Sequence, residues 1–170
     1  MLGAILATSE MGPIEQPHLQ RLHSALQAHV ERVVFYDNRG EHEFEHRELP
    51  SGGVLAALAA TFQDAGDDHV VLVAADIMHP SAELLRYMIQ VRGSHEAVVP
   101  ERRDGRLQPL LALYHPRCAR RAEGLIAAGQ HRLDALLEVI RVRRVTADEV
   151  AKFGDPDSLL ARAPAPQSFM

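Results

Sequence analysis

Apolar positions along the chain fall into short uninterrupted runs and longer stretches at helical spacing, and the two kinds alternate. Gly3 to Thr8 (GAILAT) is an apolar run that predicts a buried strand. Pro17 to Val30 sets Leu19, Leu22, Leu26 and Val30 near helical spacing, so a helix follows. Arg32 to Tyr36 (RVVFY) is rich in β-branched and aromatic residues and reads as a second strand. Asp37 to Gly53 is polar, carries Gly40, Pro50, Gly52 and Gly53, and reads as a loop. Val54 to Ala65 is a small-residue helix. His69 to Ala75 (HVVLVAA) is apolar without alternation, which suits a central strand covered on both faces. Pro80 to Arg92 is helical, with Leu84, Leu85, Met88 and Ile89 on one side. Ala97 to Pro100 and Leu110 to Tyr114 are two further short strands. Pro116 opens a helix at its first turn, with Ala119, Ala122, Leu125 and Ile126 inside it. Arg132 to Val139 is another helix, and Arg141 to Val145 an edge strand. From Gly154 the chain is rich in Pro and Ala, and residues 154–170 read as a partly irregular tail.

Strand, helix, strand, helix is the order of an α/β fold: a mainly parallel sheet with helices on both faces. The 170 residues, 46% hydrophobic and 24% charged, fit one domain spanning 1–170. The longest apolar runs are far too short to span a bilayer, and no partner membrane is expected. The amino terminus, MLGAILATSEMG, lacks the positive region of a signal peptide. One cysteine, Cys118, excludes an internal disulfide framework and fits a reducing, cytoplasmic setting. A net charge of −5 removes the broad basic footprint of a nucleic-acid binder. Of the 18 basic residues one is lysine, Lys152, so no mechanism can use a lysine ammonium earlier in the chain.

In open α/β sheets ligands bind at the carboxyl ends of the strands. Asp76 directly follows the Val70 to Ala75 run, where a carboxylate would project into that crevice. A hard oxygen ligand there suits magnesium carrying a phosphate. The competing role, a cap for the helix near Pro80, is made awkward by the four-residue gap. His79 lies close by and is a candidate for the rim. His42 to His46 (HEFEH) satisfies the H-E-x-x-H zinc pattern, but that chemistry needs a helix presenting both imidazoles on one face. The flanking Asn38, Arg39, Gly40 and Pro50 to Gly53 supply none, so a solvated loop or edge strand is the better account.

With these elements in this order, the chain resembles the molybdopterin guanylyltransferases, the MobA-like branch of the nucleotidyltransferases. Gln108 to Pro116 (QPLLALYHP) is similar to the family's QPL-x-ALY stretch, with an AVVP strand before it. Gly53 to Leu58 (GVLAAL) resembles GPLAGL. HVVLVAADIMHPSAELL resembles the family's strand, D-x-P turn and SPELL helix start, with Asp76 on the metal-binding aspartate. Gly129, His131, Arg132 and Leu133 resemble the G-x-R-L helix entry, and GAILAT the first strand. The resemblance implies a Rossmann-like three-layer sandwich of the nucleotide-diphospho-sugar transferase kind. It implies GMP transfer from GTP to molybdopterin, with magnesium, in molybdenum cofactor biosynthesis. It places the nucleotide at Leu6, Ala7, Thr8, Ser9, Gly12 and Gly53, the second substrate at Gln108 and Pro109, and catalysis and metal at Asp76.

The departures fall on the reaction centre. The family's first loop reads L-A-G-G-x-S-x-R-M-G-x-D-K; here it is Leu6, Ala7, Thr8, Ser9, Glu10, Met11, Gly12, Pro13. The paired glycines are gone, Glu10 stands where the arginine would be, and no lysine follows. Losing one charge-neutralising side chain from such a site costs about 10²–10⁵ in rate. Met78 replaces the proline of D-x-P. The late N-x-N-T-P segment corresponds to Arg162, Ala163, Pro164, Ala165 and Pro166, with both asparagines missing. Two readings follow: a family enzyme with weakened or lost catalysis, or a non-catalytic binding or accessory protein serving a partner in cofactor assembly.

Overall fold

The computed structural model describes residues 1–38 and 43–164. Its strands are β1 (Leu2–Leu6), β2 (Arg32–Tyr36), β3 (His46–Arg47), β4 (Val70–Ala74), β5 (Ala97–Pro100), β6 (Leu111–Tyr114) and β7 (Val142–Val145). Its helices are α1 (Gln16–Gln27), α2 (Val54–Ala65), α3 (Ala82–Gln90), α4 (Cys118–Ala127), α5 (Leu133–Leu137), α6 (Ala147–Val150) and α7 (Pro156–Leu159). The strands form one seven-stranded sheet in the order β3-β2-β1-β4-β6-β5-β7. β4, the run without alternation, lies between β1 and β6 and is buried along its length. β7 takes the predicted edge.

Six of the seven strands run the same way and β6 runs against them. The reversal comes from a β5–β6 hairpin. Arg102 and Arg106 pair through their backbones, and Gly105 closes the turn at a φ of 85°. An Asp-Gly pair between two apolar runs is the sequence mark of such a turn.

Alternate strand residues feed two cores, one on each face. On one side Ile5, Phe35, Val71 and Val73 meet Leu19, Leu22 and Leu26 of α1 and Leu84, Leu85 and Met88 of α3. On the other, Leu6, Val34, Tyr36 and Leu72 meet Leu55, Leu58 and Phe62 of α2, Ala122 of α4 and Leu136 of α5. The result is the expected three-layer α/β sandwich. No helix among the described residues is long and apolar enough to cross a membrane.

The long polar loop holds the edge strand that stood beside a solvated loop as the reading of the HEFEH segment. His46 and Arg47 pair in parallel with Phe35 and Tyr36, making β3 the second sheet edge. The described part of HEFEH, residues 43–46, contains no helix. His42 lies outside the described residues. In the Pro- and Ala-rich tail, Asp155 caps α7 by accepting from the Ser158 backbone N–H at 3.1 Å, with Pro156 in the first turn.

Candidate active site

The strand order reverses direction around β1. From β1 the chain moves outward to β2 and β3, then returns to lay β4 on β1's other side. Such a switch point leaves a crevice at the carboxyl ends of the strands. A cavity of about 640 Å³ opens there, lined by Leu6, Ala7, Thr8 and Ser9 after β1, by Asn38 after β2, and by Gly52 and Gly53 before α2. That volume lies within the usual range for a small-molecule site. The resemblance-based nucleotide residues therefore share one cavity, apart from Gly12, which lines an adjoining cleft of about 490 Å³.

Loop geometry builds the cavity's outer wall. The Asn38 side chain donates to the Leu49 carbonyl at 3.2 Å and accepts from the Leu49 N–H at 3.0 Å. This reciprocal pair bridges the two ends of the long loop, and Asn38 escaped the sequence reading because only the fold brings it to Leu49. Gly53 has a φ of 88°, and a Cβ there would meet the His131 carbonyl at 3.0 Å. The Leu55 N–H donates to that same carbonyl at 3.2 Å. The GVLAAL and G-x-R-L segments, remote in sequence, thus meet at the start of α2. The amino end of α2 borders the cavity through Gly53 and Val54, bringing the positive end of the helix dipole to it.

The charges at the cavity are few. Glu10 is exposed and lines both the cavity and the adjoining cleft. Arg162 is the one cationic side chain among the described residues lining the cavity. Pro17 falls in the first turn of α1 and removes one donor there. Arg21 points elsewhere: its guanidinium donates to His18 Nδ1 at 3.3 Å, leaving His18 Nε2 to donate to the Ala75 carbonyl at 3.1 Å. His79 is exposed in a shallow groove beside Arg21 and Pro17.

Asp76 follows β4 as the sequence requires and borders the cleft, but its side chain is only 7% exposed. Its Oδ1 accepts from Arg162 Nε at 2.8 Å. Arg162 is held in place by its own backbone. Leu160 is fully buried, the Ala161 carbonyl accepts from the Met78 N–H, and the Ala163 N–H donates to the Asp76 carbonyl. Ile77 and Arg162 face each other in an antiparallel bridge. The segment 160–163 is therefore a strap across the end of β4. A divalent cation on this carboxylate would lie beside a guanidinium whose charge is permanent, and two like charges at that range repel strongly. As arranged, Asp76 does not offer the open carboxylate that the resemblance implies for magnesium. Among the described residues, no group of three His, Cys, Asp or Glu side chains is placed to hold a metal.

Gln108 is buried, and its side chain serves the strap. Its amide donates to the Leu160 carbonyl at 2.9 Å, and its oxygen accepts from the Leu110 N–H at 3.3 Å. The Pro109 carbonyl accepts from the Tyr114 hydroxyl at 2.7 Å. Cys118 is buried, its thiol pushed up to about 12 chiefly by burial, which makes it inert.

The comparisons with known proteins agree with this architecture. The family model of the MobA-like NTP transferase domain matches residues 12–148, beginning just past the divergent Thr8 to Met11 loop. A protein of Pelotomaculum thermopropionicum described as "Probable molybdenum cofactor guanylyltransferase" is 28% identical over 63% of this chain and 52% of its own length. One of the same description from Natronomonas pharaonis is 29% identical over 59% of this chain and 55% of its own. The chain spans about half the length of the curated relatives it matches. Among solved structures, molybdopterin-guanine dinucleotide biosynthesis protein A from Archaeoglobus fulgidus superposes with a TM-score of 0.75 at 20% identity, over 98% of this chain and 93% of its own. The 2-C-methyl-D-erythritol 4-phosphate cytidylyltransferase of Thermus thermophilus has the same fold, with a TM-score of 0.64 at 12% identity, over 84% and 87% of the two chains. With its sheet order, its crevice and a family match over most of its length, this chain belongs to the MobA-like NTP transferase family.

Proposed function

We propose that this chain binds guanine nucleotide weakly in the cavity beyond β1 and β2, and that GMP transfer to molybdopterin is slow or lost. The observation that carries the reading is the pairing of Asp76 with Arg162 at 2.8 Å. The carboxylate expected to hold the metal is already neutralised. The choice of guanine nucleotide follows the descriptions of the curated relatives.

Nucleotidyl transfer is positioning plus charge neutralisation. A triphosphate brings about four negative charges. Here the cavity offers the start of α2 and one guanidinium already committed to Asp76. Glu10 adds a negative charge at the rim. The pocket's shape is retained while its power to stabilise a transferring phosphoryl group is reduced. On this reading the ligand is GTP in the cytoplasm, and magnesium and molybdopterin matter only so far as residual transfer survives. Replacing Thr8 to Pro13 by a loop carrying paired glycines, an arginine and a lysine tests it. GTP affinity measured by calorimetry should rise by about tenfold or more, since each 1.4 kcal/mol gained is a factor of ten. Unchanged affinity would show that the loop is not what limits binding.

A further inference from the structure

The family's chemistry calls for a divalent cation on the aspartate after β4, yet here that carboxylate meets a guanidinium. We infer that Arg162 is the resident cation of this site. It takes the metal's place on Asp76 and presents its charge to phosphate in the cavity, so that anion binding needs no divalent metal. The inference rests on the reading that the cavity takes nucleotide.

Four features support it. Arg162 lines both the nucleotide-sized cavity and the adjoining cleft, so one guanidinium can hold Asp76 and face a phosphate. Its side chain is 36% exposed whereas Asp76 is 7% exposed, so the pair has a buried anion and an accessible cation. Its position is built. The strap is fixed by the Met78–Ala161 and Ala163–Asp76 backbone bonds and by Gln108 on the Leu160 carbonyl. Arginine occurs here at the point where the family pattern has an asparagine, a change from a neutral side chain to a permanent cation. The geometry requires no bond to form or break: the guanidinium supplies charge and donors, and the proton stays on Arg162.

Manganese alone, followed by the loss of its free-ion electron paramagnetic resonance signal, tests the inference without nucleotide. The unmodified protein should show no tight manganese site. Arg162→Gln should gain affinity of about tenfold or more, because removing a positive charge near a dication is worth that much even at high dielectric. Adding Asp76→Asn should abolish the gain, and Arg162→Lys should keep manganese out. Tight manganese binding by the unmodified protein that disappears in Asp76→Asn overturns the inference, and needs no Arg162 variant to fold. GTP affinity should be equal in magnesium and in EDTA; a strict magnesium requirement also overturns it. The reading under Proposed function fails on a different result, robust GMP transfer, so the two are separable.

Discussion

Arg162 Nε donates to Asp76 Oδ1 at 2.8 Å, joining residues 86 positions apart at the carboxyl end of the central strand β4. This one contact links the sheet, the strap of residues 160–163 and the cavity beyond β1 and β2. It also gives the sequence departures a common physical meaning. The first loop lacks the cations of the family pattern, and the one cationic side chain among the described residues lining the cavity is bound to the acid on which the resemblance places the metal.

Gln108 distinguishes a positioning role from substrate binding. Its amide is buried and donates to Leu160 in the strap. Gln108→Leu leaves that carbonyl without this partner and should cost about 1–3 kcal/mol, read as a lowered midpoint in urea. The same variant should loosen residues 160–163, seen as faster amide exchange at Ala163. A fully stable variant that loses only ligand binding would return Gln108 to the substrate site.

At Gly53 the backbone φ is 88° and a Cβ would approach the His131 carbonyl to 3.0 Å. Gly53→Ala should therefore destabilise by about 1–3 kcal/mol. Because Gly53 lines the cavity, GTP affinity should fall as well. Thermal melting with and without nucleotide checks both effects.

Glu149 predicts a pH dependence. Its carboxylate is held well below the usual range, first by the bidentate Arg143 guanidinium at 2.7 and 3.0 Å and then by the Tyr87 hydroxyl, against burial. It also closes a capping box with Thr146. An acid with a depressed folded-state value stabilises the protein fully above its unfolded value. That stabilisation is lost progressively as pH falls below the ordinary glutamate range and through the folded-state value. Glu149→Gln should cost about 1–2 kcal/mol at neutral pH and flatten the acid limb of the stability curve. Denaturant titrations at neutral and acid pH compare the two proteins.

The elements that were legible in the sequence are those whose own residues decide them. The run from Val70 to Ala75 is apolar without alternation, which marked it as central, and β4 is buried throughout. The short helices α6 and α7 went unread because periodicity cannot mark so few residues, although Thr146 with Glu149 forms a capping box and Asp155 with Pro156 a helix start. The reversal of β6 also went unread, although Asp104-Gly105 marks its turn. The strap was not legible at all, since it depends on Leu160, Gln108 and Met78 meeting only after the sheet has formed. The placement of Asp76 could be read from its strand, but its partner could not, because no local pattern relates it to Arg162.

The most direct test of the account is GMP transfer itself. Purified protein is incubated with magnesium, molybdopterin and GTP labelled in the α-phosphate, and label entering the dinucleotide product is followed. The account predicts little or no transfer above background, with weak GTP binding in a parallel titration. Micromolar GTP binding accompanied by robust turnover would contradict it and return the chain to the active guanylyltransferases.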